Sequence, residues 1–167
     1  MLDDLLEGRD GQLLANPHYR LNILVVKSHG QLAHDHRGRL GLGLGSVVAS
    51  NLLGRSRLAR HFERIILHDG RAAPPLDTLT DFPSRYLPLD LTNLRHALLA
   101  SGSIPMVMQG VKDIPGAGAG TYRDGGLLDY HLDLPYRGDD LVLYPHFTDK
   151  VVPCLLYTSP SPRDKRQ

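Results

Sequence analysis

At 167 residues the chain is long enough for one domain with a single hydrophobic core, and its 41% hydrophobic and 22% charged residues are those of an ordinary globular protein. A formal net charge of +1, from 19 Lys+Arg against 18 Asp+Glu, argues against a nucleic-acid partner. The one cysteine, Cys154, excludes an internal disulfide framework and a cysteine-based zinc site.

No apolar run approaches the roughly 20 residues that span a bilayer. Residues 1–7 are acidic where a secretory signal is basic. The expected location is therefore cytoplasmic, or peripheral to a membrane.

Residues 21–26, Leu-Asn-Ile-Leu-Val-Val, are a short β-branched run that predicts a buried strand. A polar loop over 27–39 follows, with His29, His34 and His36. Residues 47–62 read as a helix, which Gly41, Gly43 and Gly45 weaken on its N-terminal side. A second strand is expected at 63–68, stopped by the turn pair Asp69-Gly70.

Residues 71–88 are proline-rich and read as connecting chain. Asp90 or Thr92 can then cap a short helix whose Leu91, Leu94, Leu98 and Leu99 share one face, with Gly102 and Pro105 as its stop. The Gly-rich loop 116–120 leads to a brief strand at 121–123 and a tight turn at Asp124-Gly125-Gly126. A last strand is expected at 141–144, after Asp139-Asp140. Strands separated by helices predict an α/β sheet with parallel character.

From Cys154 onward the periodic apolar pattern stops and Ser159-Pro160-Ser161-Pro162 favours extended chain, so residues 154–167 read as a non-native or disordered tail. Without the tail's Arg163, Lys165, Arg166 and Asp164, 16 basic and 17 acidic groups remain of the 19 and 18. The slight basicity of the chain belongs to the tail, and residues 1–153 are read as the domain.

The residue that draws attention is Asp124. An aspartate at a strand end before two glycines is a carboxylate on a backbone free to bend sharply into a cleft. On residues alone the same string is first of all a common turn. A helix ending in Ala100-Ser101-Gly102-Ser103-Ile104-Pro105, followed by Tyr122-Arg123-Asp124-Gly125-Gly126, resembles the second half of the patatin-like phospholipase domain. The match covers about residues 86–147.

The resemblance implies a three-layer α/β/α domain and a serine acyl hydrolase that breaks down lipids by cleaving fatty-acyl esters through a Ser–Asp dyad. It implies no metal and no cofactor, a lipid or acyl-ester substrate, and peripheral membrane contact as a further option. It gives Asp124 the role of base, Gly125 and Gly126 the shaping of its turn, and Ser103, Ile104, Pro105 and Met106 places along the acyl pocket. An aspartate of ordinary pKa, about 3.9, is a weak base. Such a dyad therefore depends on a partly desolvated carboxylate and short hydrogen bonds.

The family's Gly-x-Ser-x-Gly nucleophile elbow and its Gly-rich oxyanion loop do not occur in this sequence. Ser101-Gly102-Ser103 follows a helix, where an elbow needs a strand. The reading is thus of a partial domain, inactive alone, that contributes the aspartate. The alternative is a non-catalytic lipid-binding or interaction protein that has lost its serine.

Weaker readings attach to other residues. Gly41-Leu42-Gly43-Leu44-Gly45-Ser46 lacks the spacing of a dinucleotide loop. His34 and His36, with His29 nearby, could form a metal pair but have no third ligand in view. Asp129-Tyr130-His131 is read as ordering the loop after the motif, with proton carriage by His131 as the lesser alternative. Arg55, Arg57 and Arg60 form a basic helix face that could meet anionic lipid.

Overall fold

The computed structural model describes residues 4, 6–52, 55–76, 79, 82–129, 136, 141 and 143. After a short helix α1 (Asp10–Leu14) come β1 (Asn22–Ser28), a 3-10 turn (Gly30–Ala33), α2 (Arg37–Leu52) and a second 3-10 turn (Arg55–Arg60). Then follow β2 (Phe62–Asp69), β3 (Ser84–Leu89), α3 (Leu94–Ser101), β4 (Val111–Lys112), β5 (Thr121–Asp124) and a 3-10 turn (Gly125–Leu127).

The strands form one mixed sheet in the order β3-β2-β1-β5-β4. β1 is antiparallel to both β2 and β5, and β4 is antiparallel to β5, while β2 and β3 run parallel. The protein is thus of mixed α/β content, but the expected parallel character holds only for the β2–β3 pair. Strand-helix alternation sets which elements exist; it does not set strand direction when a long connection such as residues 29–61 returns antiparallel.

Period-2 alternation divides the core between the two faces. Ile23 and Val25 of β1, Ile65 and Leu67 of β2 and Tyr122 of β5 pack with Leu94, Ala97 and Ala100 of α3. Val26, Phe62 and Leu127 pack on the other side with Leu40 and Val47 of α2, with Leu32 and with Leu58.

Further expectations are corrected. The glycines do not delay α2, which starts at Arg37 and ends at Leu52, and the stretch before Phe62 is a 3-10 turn. Each helical glycine costs about 1 kcal/mol against alanine, but Gly43 lies on the buried stripe between Leu40 and Val47. A Cβ there would stand 2.9 Å from Leu32 Cδ2, so the glycine permits the close approach of turn and helix. Packing of that stripe overrides local propensity.

The supposed connector 71–88 contains most of β3, whose Pro88 is tolerated because β3 is the sheet edge. The buried face of α3 is Leu94-Ala97-Ala100, whereas Leu91 and Leu99 are exposed. The helix starts later than Asp90 or Thr92 would cap it: Asn93 is the N-cap and makes no side-chain cap bond, while the Asp90 carboxylate accepts from the Thr92 and Asn93 amides and orders the turn that leads in.

The strand expected at 141–144 falls mostly outside the described residues, and Leu141 and Leu143 are exposed and not in a strand. No helix among the described residues is long and apolar enough to cross a membrane.

Candidate active site around Asp124

Alternation along β5 sends neighbouring side chains to opposite faces of the sheet. Tyr122 is fully buried toward α3, and its hydroxyl donates to the Ala117 and Gly118 carbonyls at 2.7 Å each. Arg123, also fully buried, turns to the α2 side. Its guanidinium meets Asp35 Oδ1 at 2.6 Å and donates to the Leu32, His34 and Met108 carbonyls. Asp35 in turn accepts from the Gly110 amide at 3.0 Å. One buried arginine thereby holds together the 3-10 turn after β1, the segment following Pro105 and β5 itself.

Asp124 ends the strand. Opposite Val25 in the ladder, it shares the face that carries α3. Its amide donates to the Ser103 carbonyl at 3.3 Å, which ties the aspartate to the Ser-Ile-Pro segment just beyond α3. Its Oδ1 accepts from the Gly126 amide at 2.8 Å, capping the 3-10 turn Gly125–Leu127. Gly125 is required by a close approach, since a Cβ would lie 2.8 Å from the Leu24 carbonyl oxygen. The Gly125 carbonyl then accepts from the amides of Leu128 and Asp129, both at 3.0 Å.

Burial pushes the Asp124 carboxyl above the usual carboxylate range, and the Gly126 amide offsets only part of that rise. Among the described residues no cation is paired with Asp124, and its Oδ2 accepts no hydrogen bond. A strand-end carboxylate with one oxygen fixed and one available can take a proton from a group placed beside it.

Ser103 and Asp124 are therefore brought together through the backbone. The Ser103 side chain is buried and its hydroxyl donates to the Leu99 carbonyl at 2.7 Å, so it closes the end of α3. Pro105 is buried as well. Ile104 and Met106 point outward at 41% and 47% exposure, and Val107 and Met108 continue the exposed apolar stretch at 76% and 47%. The segment doubles back through Val107 and Met108 amides bonded to the Ile104 carbonyl, with Met106 at a φ of 71°.

Other sequence candidates are placed elsewhere. Gly41 to Ser46 lie inside α2, which removes the dinucleotide-loop reading. His34, Asp35, His36, Gly38, Arg39 and Leu42 line an open depression of about 520 Å³. Asp35 is committed to Arg123 there, and among the described residues no three His, Cys, Asp or Glu side chains are grouped to hold a metal. Arg57 and Arg60 are exposed on the 3-10 turn and do not continue α2. His131 lies outside the described residues.

Two ion pairs built on buried arginines escape sequence reading. One is Arg123–Asp35. The other joins Arg64 to Asp129, whose side chains are 1% and 3% exposed, with Nε to Oδ2 at 2.7 Å and Nη2 to Oδ1 at 2.9 Å. The one sequence signal for the second pair was an arginine inside the apolar run of β2. Comparison with known proteins finds no matching family model, no matching curated protein and no matching solved structure.

Proposed function

We propose that Asp124 is the base of a patatin-like Ser–Asp acyl-hydrolase site, and that this chain supplies the aspartate half of it. The observation that carries the reading is the environment of Asp124. It is a desolvated strand-end carboxylate with Oδ1 fixed by Gly126 and Oδ2 unbonded among the described residues. Perturbed carboxylates of this kind concentrate at functional sites. Helices packed on both sides of the sheet are compatible with the family's three-layer arrangement, and the Ser103–Asp124 hydrogen bond joins the two motifs that carry the resemblance.

In the completed site a serine hydroxyl attacks the ester carbonyl and its proton passes to Asp124 Oδ2. The alcohol leaves with that proton. Water then hydrolyses the acyl-serine, with Asp124 again as base. Neutralisation of Asp124 on accepting the proton is eased by the same burial that disfavours its charge. The apolar side chains of Ile104 and Met106 suit an acyl chain as substrate. The 167 residues contain no Gly-x-Ser-x-Gly, so the chain by itself is expected to leave esters intact.

A second reading, a non-catalytic lipid-binding protein, is favoured by the exposed run Ile104, Met106, Val107 and Met108. The DNA immediately upstream of Met1 separates the two. In-frame Gly-x-Ser-x-Gly supports the hydrolase, and the extended protein should then cleave fatty-acyl esters. Asp124→Asn in that protein should lower kcat about 10²–10⁴-fold. Undiminished hydrolysis by that variant would overturn the role given to Asp124.

A further inference from the structure

Asp129 lies five residues past Asp124 and its partner Arg64 lies in β2, yet the two form the most completely buried ion pair among the described residues. Arg64 occupies an inward position of β2 between Phe62 and Ile66, where an apolar side chain would be ordinary. Its guanidinium is used on all three nitrogens. Nε and Nη2 grip both oxygens of Asp129, and Nη1 donates to Ser84 Oγ at 3.0 Å. Ser84 itself donates to the Phe82 carbonyl, and the Phe82 ring lies 5.7 Å from the guanidinium carbon.

Such a pair is a poor device for stability alone. Removing two charges from water costs several kcal/mol per ion, and well-packed apolar residues of similar volume often do as well or better. What the pair adds is geometry, because a bidentate arginine–carboxylate contact fixes both distance and plane. The chain between Asp124 and Asp129 is short and held at its middle. Gly125 sits against the Leu24 carbonyl, and the Asp129 amide bonds back to the Gly125 carbonyl. A shift of Asp129 is thereby transmitted to Gly125 and Gly126, and the Gly126 amide is the group that holds Asp124 Oδ1.

We propose that Arg64 and Asp129 are positioning residues that set the Asp124 carboxylate by clamping the far end of its turn onto β2. Their significance for catalysis rests on the acyl-hydrolase reading, but the positioning itself is measurable without any turnover. The clamp acts on the face opposite α3, and the carboxylate it positions emerges on the α3 side. Arg64 therefore needs no contact with substrate.

The test uses the full chain and two readouts, the carboxyl-carbon NMR titration of Asp124 and the amide exchange rate of Gly126. In the double variant Arg64→Met/Asp129→Leu the pair is replaced by apolar groups, so the fold is expected to persist. The Gly126 amide should exchange about tenfold faster, the loss of one hydrogen bond, and the Asp124 titration should move from its parent position. A folded double variant with both readouts unchanged overturns the proposal.

Should that variant not fold, Arg64→Lys carries the same measurement, since it retains the charge and loses the bidentate grip. A partial change in the same two readouts supports the clamp, and parent-like values overturn it. Absence of hydrolysis by the gene-extended protein would count against the acyl-hydrolase reading alone, because neither readout depends on turnover.

Discussion

Asp35, bound to Arg123, and Asp124, the next residue of β5, lie on opposite faces of the sheet, and the protein treats them in opposite ways. Burial pushes the Asp35 carboxyl up, but the Gly110 amide and the Arg123 guanidinium outweigh it and hold the group below the usual range. Asp124 is pushed up by burial with only the Gly126 amide to oppose it. Asp10, Asp69 and Asp90 follow Asp35, each lowered chiefly by a side-chain hydrogen bond, from Arg95, Arg71 and Thr92 in turn. Among the described aspartates with a resolved shift, Asp124 alone moves upward. A carboxylate paired with arginine is a structural tie; a desolvated one left without a cation is free to act as a base.

The largest effect expected from breaking this contrast is on the paired side. Asp35→Asn leaves the Arg123 guanidinium buried at 1% exposure without its counter-charge. Leaving a buried charge uncompensated costs about 3–5 kcal/mol; the carbonyl acceptors around Arg123 place the expected loss near the lower end. Urea unfolding at pH 7 measures it, and a loss of less than about 1 kcal/mol, typical of a surface pair, would show that Arg123 is held by the backbone carbonyls alone.

Next in size is Gly125→Ala. The new methyl would meet the backbone of Leu24, which cannot rotate away, at 2.8 Å from its oxygen. Overpacking of this sort costs about 1–3 kcal/mol. The Asp124 titration should shift with it, because Gly125 and Gly126 carry the turn. Gly41→Ala, which meets nothing within 4 Å, serves as the control and should be neutral or stabilising.

These contrasts explain which parts of the molecule could be read from sequence. The runs 21–26 and 63–68 announced β1 and β2 because continuous β-branched segments have few other uses. The Asp124 turn was readable because Asp-Gly-Gly constrains the backbone locally. The early start of α2 was not, since Gly43 is explained by Leu32 in a separate turn, 11 positions away. Strand direction was not, because it is decided by how long connections return. The two buried arginine clamps were least readable of all, as their partners lie 65 and 88 residues apart in sequence. Half of the candidate site is thus local and visible, and the half that holds it in place is long-range.

The paired carboxylates also predict an acid response. Arg71 hydrogen bonds hold the Asp69 carboxyl down to about 2, against an ordinary value of 3.8. A depressed folded-state pKa gives stability that is complete above the unfolded value and is lost as pH falls through the folded one. The Asp69 contribution should accordingly disappear between about pH 4 and pH 2. Arg71→Gln should lower stability at pH 6, and most of that gap should have closed near pH 2. A gap between parent and variant that persists in full at pH 2 would mean that Arg71 acts through its bonds to the Asn16 and Tyr19 carbonyls and not through Asp69.

Asp124→Asn should produce the smallest change and one of opposite sign. The Asp124 carboxyl titrates higher in the folded chain than in the unfolded one, so the unfolded state gives up its proton first as pH rises above 3.8. Stability must fall through that window and stay lower once the folded carboxyl has also ionised. Asparagine keeps an oxygen for the Gly126 amide but carries no charge to desolvate. The variant should match the parent below pH 3.8 and be modestly more stable at pH 7, with unfolding midpoints as the measurement. A less stable variant at pH 7 would mean that the Asp124 charge is compensated after all, and it would remove the main physical reason for regarding Asp124 as a base. A more stable one would show the carboxylate held at a cost to the fold, as expected of a group kept for chemistry.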